Sequence, residues 1–205
     1  MFRRLFPLAL AFALGSVSVA APVIGQTLGD DLGEIWLSLS MESVSQTKEV
    51  SLDETFLFYV MTSIDFGSQG QNAADGMLAW EAKVVIPAGI TVNSRQVMGG
   101  PLGICADGSC DNYSLGFSAC RHAENSPMVL VRYEATVTAL PGPLEISLAG
   151  ADPSSTGDVP GWLQCVGNPA PDLHRFASGP GTALQLSPKV ASAQRSWSSL
   201  KADFD

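Results

Sequence analysis

Apolar and polar residues alternate along most of the chain, with the period of two expected for strands that have one buried face. The clearest run is at residues 127–139, where apolar residues alternate with charged and hydroxyl residues. Its apolar members, predicted to face a core, are Val129, Val131, Tyr133, Ala135 and Val137. Shorter runs of the same kind lie at residues 35–40, 78–86, 113–119 and 144–148. The pattern therefore predicts a fold built from strands.

Residues 56–61 are apolar or aromatic at every position, which is typical of a central strand buried on both faces. Glycine, proline, asparagine and aspartate cluster between the runs, as they do in tight turns. No long segment before the C-terminal tail has the period of an amphipathic helix. About eight or nine strands in a chain of this length predict an all-β fold, a two-sheet β-sandwich of the jelly-roll type. Residues 65–75 and 152–180 lack the alternation and are expected to be long surface loops.

The N-terminus has the layout of a secretory signal peptide. Arg3 and Arg4 precede an apolar run at residues 5–14, and small residues follow it. This run is short for a membrane span, although an uncleaved N-terminal anchor is the alternative. We expect a signal peptide at residues 1–21, a β-sandwich domain at 33–188 and a polar tail at 189–205. The protein is then secreted or periplasmic, without a membrane span.

The charge of the chain narrows the classes of partner. Its 205 residues include 20 acidic and 11 basic ones, which gives a formal net charge of −9. Such a protein repels the phosphate backbone of nucleic acids, so nucleic acid is not expected as a partner. The composition also agrees with a turn-rich β fold, because 20 residues are glycine and 13 are proline.

Three of the four cysteines lie in the segment ICADGSCDNYSLGFSAC, residues 104–120. In an exported protein an even number of cysteines indicates disulfide bonds. The pair Asp107 and Gly108 favours a tight turn that brings Cys105 and Cys110 face to face. The preferred pairing is Cys105 with Cys110 and Cys120 with Cys165, although four cysteines permit three pairings. The sandwich is therefore expected to be stapled by disulfides.

Two metal sites are alternatives for the same segment. Zinc would use His122 together with Cys120, but structural zinc sites need closely spaced cysteine pairs or more histidines. Calcium would use the hard oxygen donors of Asp107, Asp111 and Asn112, which lie in one loop. Turn formation and solubility are the competing explanation for these three residues. No cofactor other than this calcium ion is expected.

Two tryptophans are candidates for ligand binding at the surface. Trp36 lies on the polar side of the first strand, and Trp162 lies in the loop expected at residues 152–180. The face of an exposed indole can hold a sugar ring by apolar contact. The competing explanation is that Trp162 packs its loop onto the edge of the sandwich. Carbohydrate is therefore one ligand class that the sequence indicates.

The sequence predicts no catalytic residue. Residues 116–120 resemble a nucleophile elbow around Ser118, but the final glycine is missing and the alternation places Ser118 within a strand. Glu81 and Glu134 face outward on strands, as most solvated glutamates do, and nothing pairs them as catalytic carboxylates.

Three segments resemble the cohesin-like, carbohydrate-binding-module-like β-sandwiches of exported bacterial proteins. They are DETFLFYVMTS (53–63), GMLAWEAKVVIPAGITVNS (76–94) and PMVLVRYEATVTA (127–139). The second segment is similar to the strand, Pro-x-Gly turn and strand of that family. The resemblance implies a jelly roll, and in cohesins one sheet face docks a calcium-bearing dockerin domain. No docking residue of the family carries over to this chain.

These observations predict a non-catalytic exported module for protein–protein assembly or adhesion at the cell envelope. The alternative is a carbohydrate-binding module, stabilised by calcium, whose partner is a polysaccharide. An enzyme is a third hypothesis, without a catalytic constellation to support it. Because one fold serves many functions, the choice among these three hypotheses depends on the functional site and not on the fold.

Overall fold

The computed structural model describes residues 33–64, 76–121, 127–165, 173–178 and 183–189. In chain order the strands are β1 (Gly33–Ser38), β2 (Thr47–Val50), β3 (Thr55–Ile64), β4 (Met77–Val85), β5 (Ile90–Val97), β6 (Leu102–Ile104), β7 (Asn112–Arg121), β8 (Met128–Val137), β9 (Leu144–Ala149), β10 (Gly161–Gln164), β11 (Leu173–Arg175), β12 (Ala177–Ser178) and β13 (Ala183–Pro188). Within these ranges no helix is long and apolar enough to cross a membrane. The strands form two sheets, which confirms the prediction of an all-β sandwich.

The first sheet contains β12, β1, β3, β8 and β5, in that order. All its neighbours pair antiparallel except β12, which pairs parallel to β1. β3 lies at the centre and is buried on both sides. Phe58 and Val60 face the core, whereas Tyr59 and Met61 belong to a smaller cluster on the other face. This is the doubly buried central strand that residues 56–61 predict.

The second sheet is organised around β4. β7 pairs along one edge of β4, and β6 pairs with β7. On the opposite edge, β10 pairs with the first part of β4 and β9 pairs with the last part. β13, β2 and β11 complete the sheet. The loop that joins β9 to β10, residues 150–160, therefore begins and ends beside the same strand; we call it the β9–β10 loop.

The core between the sheets is centred on aromatic side chains. Tyr113 on β7 and Tyr133 on β8 are fully buried, and their hydroxyl oxygens lie 2.6 Å apart. Tyr133 stacks on Phe58 with ring centroids 4.5 Å apart, and Tyr113 packs against Trp80 at 5.4 Å. The hydroxyl pair satisfies two polar groups that burial would otherwise leave unbonded. One hydrogen bond thus joins the two sheets through the apolar core.

The buried tyrosine hydroxyls resist ionisation, and an ion pair beside them also joins the two sheets. Burial raises the pKa of Tyr113 to about 12 and raises the pKa of Tyr133 well above its ordinary range. Beside the tyrosines, Arg95 on β5 donates to both carboxylate oxygens of Asp111, at 2.6 and 2.7 Å. This hydrogen-bonded pairing raises the pKa of Arg95. The bidentate geometry is the strong form of an ion pair, and it holds the start of β7 against the first sheet.

Three short strands lie where the sequence predicts one long loop. β10, β11 and β12 fall within residues 152–180, so the loop prediction is wrong for them. They are four, three and two residues long, too short to show an alternating pattern. β2 and β6 are short for the same reason and are absent from the predicted strands.

The pattern also places Val129 in the core, and this is wrong. The register of β3 and β8 shifts between Val60 and Met61, so that Val131 and Val129 are their partners. Leu130 is consequently the residue that joins the core, and Val129 packs on the outer cluster with Met61. A β-bulge of this kind reverses the facing of every residue beyond it.

The described strands extend from Gly33 to Pro188. The division into signal peptide, sandwich domain and tail stays a prediction. Lys189, the first residue of the expected tail, is held by the sandwich. Its backbone amide donates to the carbonyl of Val50 at 2.9 Å, and its ammonium donates to Glu54 at 2.8 Å. The expected signal peptide, the loop at 65–75 and the rest of the tail lie outside the described residues.

Candidate binding groove on the second sheet

The outward face of the second sheet follows from the strand pairing. Residues paired on neighbouring strands point to the same face, and successive residues point to opposite faces. Trp80, Leu115 and Trp162 are paired across β7, β4 and β10 and lie in the core. The residues that flank them along each strand therefore point away from the core.

Two rows of outward residues cross five strands, from β6 to β11. The apolar row consists of Leu102, Gly116, Ala79, Leu163 and Leu173. The second row consists of Ile104, Ser114, Glu81, Gly161 and Arg175. Because neighbouring strands lie about 4.8 Å apart, each row is about 19 Å long.

A groove of about 270 Å³ lies on this face. The residues that line it include Ala79, Glu81, Ser114, Ser155, Leu163 and Leu173. Its floor carries little side-chain volume at Ala79, which contributes one methyl group. Beside the groove on β7, Gly116, the register partner of Ala79, contributes none. A Cβ atom at Gly116 would meet no heavy atom nearer than 3.9 Å. Glycine inside a strand often marks a site of close approach by another molecule, and here the space above it is open.

Beyond β7, strand β6 adds exposed apolar side chains to the same outward face. Leu102 is 74% exposed and Ile104 is 54% exposed, and both point outward from β6. They stand in register with Gly116 and Ser114 respectively. Adjacent large apolar side chains that remain in water on one face mark an interaction site more often than isolated ones do.

The β9–β10 loop forms a wall of the groove because Glu81 holds it. One carboxylate oxygen of Glu81, Oε1, accepts four hydrogen bonds from the loop. The donors are the Ser154 hydroxyl at 2.8 Å, the Ser155 amide at 2.7 Å, and the Thr156 amide and hydroxyl at 3.1 Å each. Glu81 is only 7% exposed. A buried carboxylate requires such donors, since burying it without them costs several kcal/mol (order of magnitude).

Two further contacts fix the loop on the sheet. The Asn112 side chain on β7 donates to the carbonyl of Asp152 at 2.6 Å and accepts from its amide at 2.9 Å. At the other end, Thr156 lies directly over Gly161, where a Cβ would be 2.5 Å from the Thr156 methyl group. These contacts hold the loop in one position across β4. Only glycine fits at position 161 beneath it.

Both disulfides join the pairs that the sequence favours. Cys105 is bonded to Cys110, with Cα atoms 5.5 Å apart, and Cys120 is bonded to Cys165, with Cα atoms 5.7 Å apart. The second bond links β7 to the end of β10 and passes over Gly76, where a Cβ would lie 2.9 Å from the Cys165 sulfur. This disulfide fixes β7 and β10, the strands on either side of β4. Two disulfides fit an oxidising environment.

The three residues considered for calcium do not converge on one point. Asp111 is bonded to Arg95, Asn112 is bonded to the backbone of Asp152, and Asp107 accepts from the Ser109 amide at 3.0 Å. The bond from Ser109 lowers the pKa of Asp107. The described part of the chain contains no group of three or more His, Cys, Asp or Glu side chains suited to a metal. Calcium binding remains a prediction, and His122 lies outside the described residues.

The two candidate tryptophans are buried, so the exposure on which the sugar-binding hypothesis depends is wrong for both. Trp162 is 1% exposed on the core side of β10 and stacks on His174 at 4.6 Å. Trp36 points outward from the first sheet but is 4% exposed, within the cluster that includes Tyr59. A buried indole offers no face to a sugar ring. Trp162 is packed against the sandwich, as the competing explanation predicts, but it lies in strand β10 and not in a loop.

Glu81 is the residue of the groove whose role, holding the β9–β10 loop, cannot be predicted from the sequence. Its place in an alternating strand indicates a solvated glutamate, and the structure shows a buried anchor instead. The only local signal is the run Ser154, Ser155 and Thr156, whose hydroxyl groups favour side-chain-to-backbone hydrogen bonds. Their acceptor lies more than seventy residues earlier in the chain. Ser118 is within β7, as predicted, and does not occupy a strand-to-helix turn.

The chain is similar to solved structures but not to family models or curated proteins. No family model matches the chain, and no curated protein matches it. Among solved structures it is similar to CaCohA2 from Clostridium acetobutylicum, with a TM-score of 0.40 and 10% identity over 77% of this chain and 91% of that one. It is also similar to the seventh ScaB type I cohesin from Pseudobacteroides cellulosolvens, with a TM-score of 0.41 and 8% identity over 80% of this chain and 96% of that one. The second of these is a cohesin, and cohesin-like sandwiches are the family that residues 53–63, 76–94 and 127–139 resemble.

Proposed function

We propose that this chain is a non-catalytic exported module for protein–protein assembly or adhesion at the cell envelope. We further propose that it binds its protein partner through the outward face of the second sheet, from β6 to β11. The observation that supports this most is the combination of open space above Gly116, beside the groove, with exposed apolar side chains at Leu102 and Ile104. A protein interface needs such an apolar centre surrounded by polar groups.

The rigidity of this face also favours binding. The β9–β10 loop is held by Glu81 and Asn112, and the strands that flank β4 are joined by the Cys120–Cys165 disulfide. A surface that is already ordered loses little conformational entropy when a partner docks. The one acid in the groove serves as a structural anchor, which suits a binding surface better than acid–base chemistry.

The test is affinity capture followed by localisation of the interface. The full chain is immobilised, exposed to solubilised envelope proteins, and each captured protein is purified and titrated against the chain. Hydrogen exchange of the complex then maps the protected amides. We expect a stoichiometric protein partner that protects β6, β7, β4 and β10. Protection confined to the first sheet would contradict the proposal, and so would binding on a glycan array without any protein partner.

A further inference from the structure

The size of the groove indicates what part of a partner enters it. Its volume of about 270 Å³ is below the range of about 300–1,000 Å³ that is typical of small-molecule sites. One large side chain is therefore a better match than a whole small ligand. Interfaces commonly have such an anchor residue, buried in a pocket at the centre. This reasoning rests on the proposed function, in which the occupant belongs to a protein.

The apolar part of the groove favours a flat side chain. Its floor includes the methyl group of Ala79, and the neighbouring Gly116, which lies beside the groove in register with Ala79, has no side chain. Together they leave a level surface in the middle of the sheet. Leu163 and Leu173 stand at one side of it on β10 and β11. An aromatic ring laid on such a floor gains contact over its whole face, whereas a branched aliphatic side chain touches it at fewer points.

The polar part requires a hydrogen-bond donor. All four donors of the β9–β10 loop bond to Oε1 of Glu81, and no described residue donates to the second oxygen, Oε2. Glu81 lines the groove together with Ser114 and Ser155, whose hydroxyls receive no hydrogen bond from the described residues. A donor that reaches this carboxylate oxygen forms a charge-assisted hydrogen bond, which is stronger than a neutral one.

We infer that the partner inserts a tyrosine side chain, with its ring on Ala79 and the open surface at the neighbouring Gly116, and with its hydroxyl donating to Oε2 of Glu81. Phenylalanine and leucine fill the apolar part but bring no donor. Lysine brings a donor but no ring that can lie flat on the level surface, whereas tyrosine supplies both.

The test uses amino-acid amides as probes of the ¹⁵N-labelled full chain in an NMR titration. N-acetyl-tyrosinamide should shift the amides of Ala79, Gly116 and Leu163 and should bind about tenfold more tightly than N-acetyl-phenylalaninamide, the factor expected for one hydrogen bond to a charged group. The inference is overturned if the phenylalanine probe binds as tightly, if N-acetyl-lysinamide binds more tightly, or if the shifts lie elsewhere.

A pair of variants separates this inference from the proposed function. Gly116→Arg places a long side chain directly beside Ala79, over the surface on which the ring would lie, and should abolish the shifts. Gly142→Arg, in the turn between β8 and β9, should leave them unchanged. If the phenylalanine and tyrosine probes bind this groove equally, the tyrosine is wrong while docking on this face stands. If Gly116→Arg captures the protein partner as well as the unaltered chain does, docking on this face is wrong whatever the probes show.

Discussion

Thr156 hydrogen-bonds twice to the same carboxylate oxygen of Glu81, through its backbone amide and through its hydroxyl, at 3.1 Å each. Ser154 and Ser155 donate to that oxygen as well. A single side chain on β4 therefore satisfies most of the hydrogen-bonding groups that a loop far along the chain presents to it. Together with the contacts of Asn112 and Gly161, this contact holds the loop in place as the wall of the groove.

Replacing Glu81 by alanine should destabilise the protein by about 2–4 kcal/mol, because several nearly buried donors lose their acceptor. The change should appear as a lower urea midpoint, together with faster hydrogen exchange in the β9–β10 loop. Glu134→Ala on the first sheet is the matched control, and it should change the free energy of unfolding by no more than about 0.5 kcal/mol. Equal effects of the two substitutions would refute the anchoring role of Glu81.

The two disulfides should contribute unequally to stability. Cys120 and Cys165 are 45 positions apart, whereas Cys105 and Cys110 are 5 apart. In the chain-entropy model the longer loop is worth about 4 kcal/mol and the shorter about 2 kcal/mol. Urea unfolding of the double variants Cys120→Ala/Cys165→Ala and Cys105→Ala/Cys110→Ala measures the difference. A larger loss from the shorter loop would show that strain or residual structure, and not loop closure, decides the effect.

Much of the fold can be predicted from the sequence, because long strands with one buried face carry the pattern over many residues. β3, β4, β7, β8 and β9 are long enough for this, and each is found at its expected position. β10 and β11 are too short to show a pattern, and their pairing with β4 depends on residues far away in the chain. The bulge that turns Val129 outward leaves no local signal either.

The groove is less predictable than the fold for a similar reason. The level surface in and beside the groove exists because Ala79 and Gly116 stand in register on neighbouring strands, and register between distant segments is not visible in either segment alone. The disulfide partners are an exception, since the compartment and the Asp-Gly turn limit the choices. Burial of Trp162 depends on which face β10 turns to the core, and burial of Trp36 depends on its packing in the outer cluster with Tyr59 and Met61.

Tyr113 and Tyr133 should show strong energetic coupling. Tyr133→Phe leaves the Tyr113 hydroxyl buried without its partner and should cost about 1–2 kcal/mol. The double variant Tyr113→Phe/Tyr133→Phe removes both hydroxyls and should recover part of that loss. A double-mutant cycle from urea unfolding gives the coupling energy. Additive losses would mean that the hydrogen bond across the core contributes nothing to stability.

Glu54 should make stability depend on pH in the acid range. Its hydrogen bond with Lys189, aided by the Ser51 amide and by Lys48, lowers its pKa from 4.5 to about 2. Its contribution is therefore present above pH 4.5 and is lost as the pH falls from 4.5 to 2. For a surface network of this kind we expect about 1 kcal/mol.

The check is acid titration of stability in the Glu54→Gln variant. The difference in the free energy of unfolding between this variant and the unaltered chain should be constant near neutral pH and should vanish as the pH approaches 2. High salt should reduce it, since the pairs are partly exposed. A difference that persists unchanged at pH 2 would exclude ionisation of Glu54 as its source.

The central claim is that a protein partner binds on the outward face of the second sheet, and the affinity of Gly116→Arg for the captured partner tests it most directly. The space above Gly116 is open, so the variant should fold with nearly unchanged stability and obstruct only the groove. Gly142→Arg, also in open space, controls for an added charge. We predict at least a tenfold rise in the Kd of Gly116→Arg and no change for Gly142→Arg. An unchanged Kd for Gly116→Arg would contradict the account.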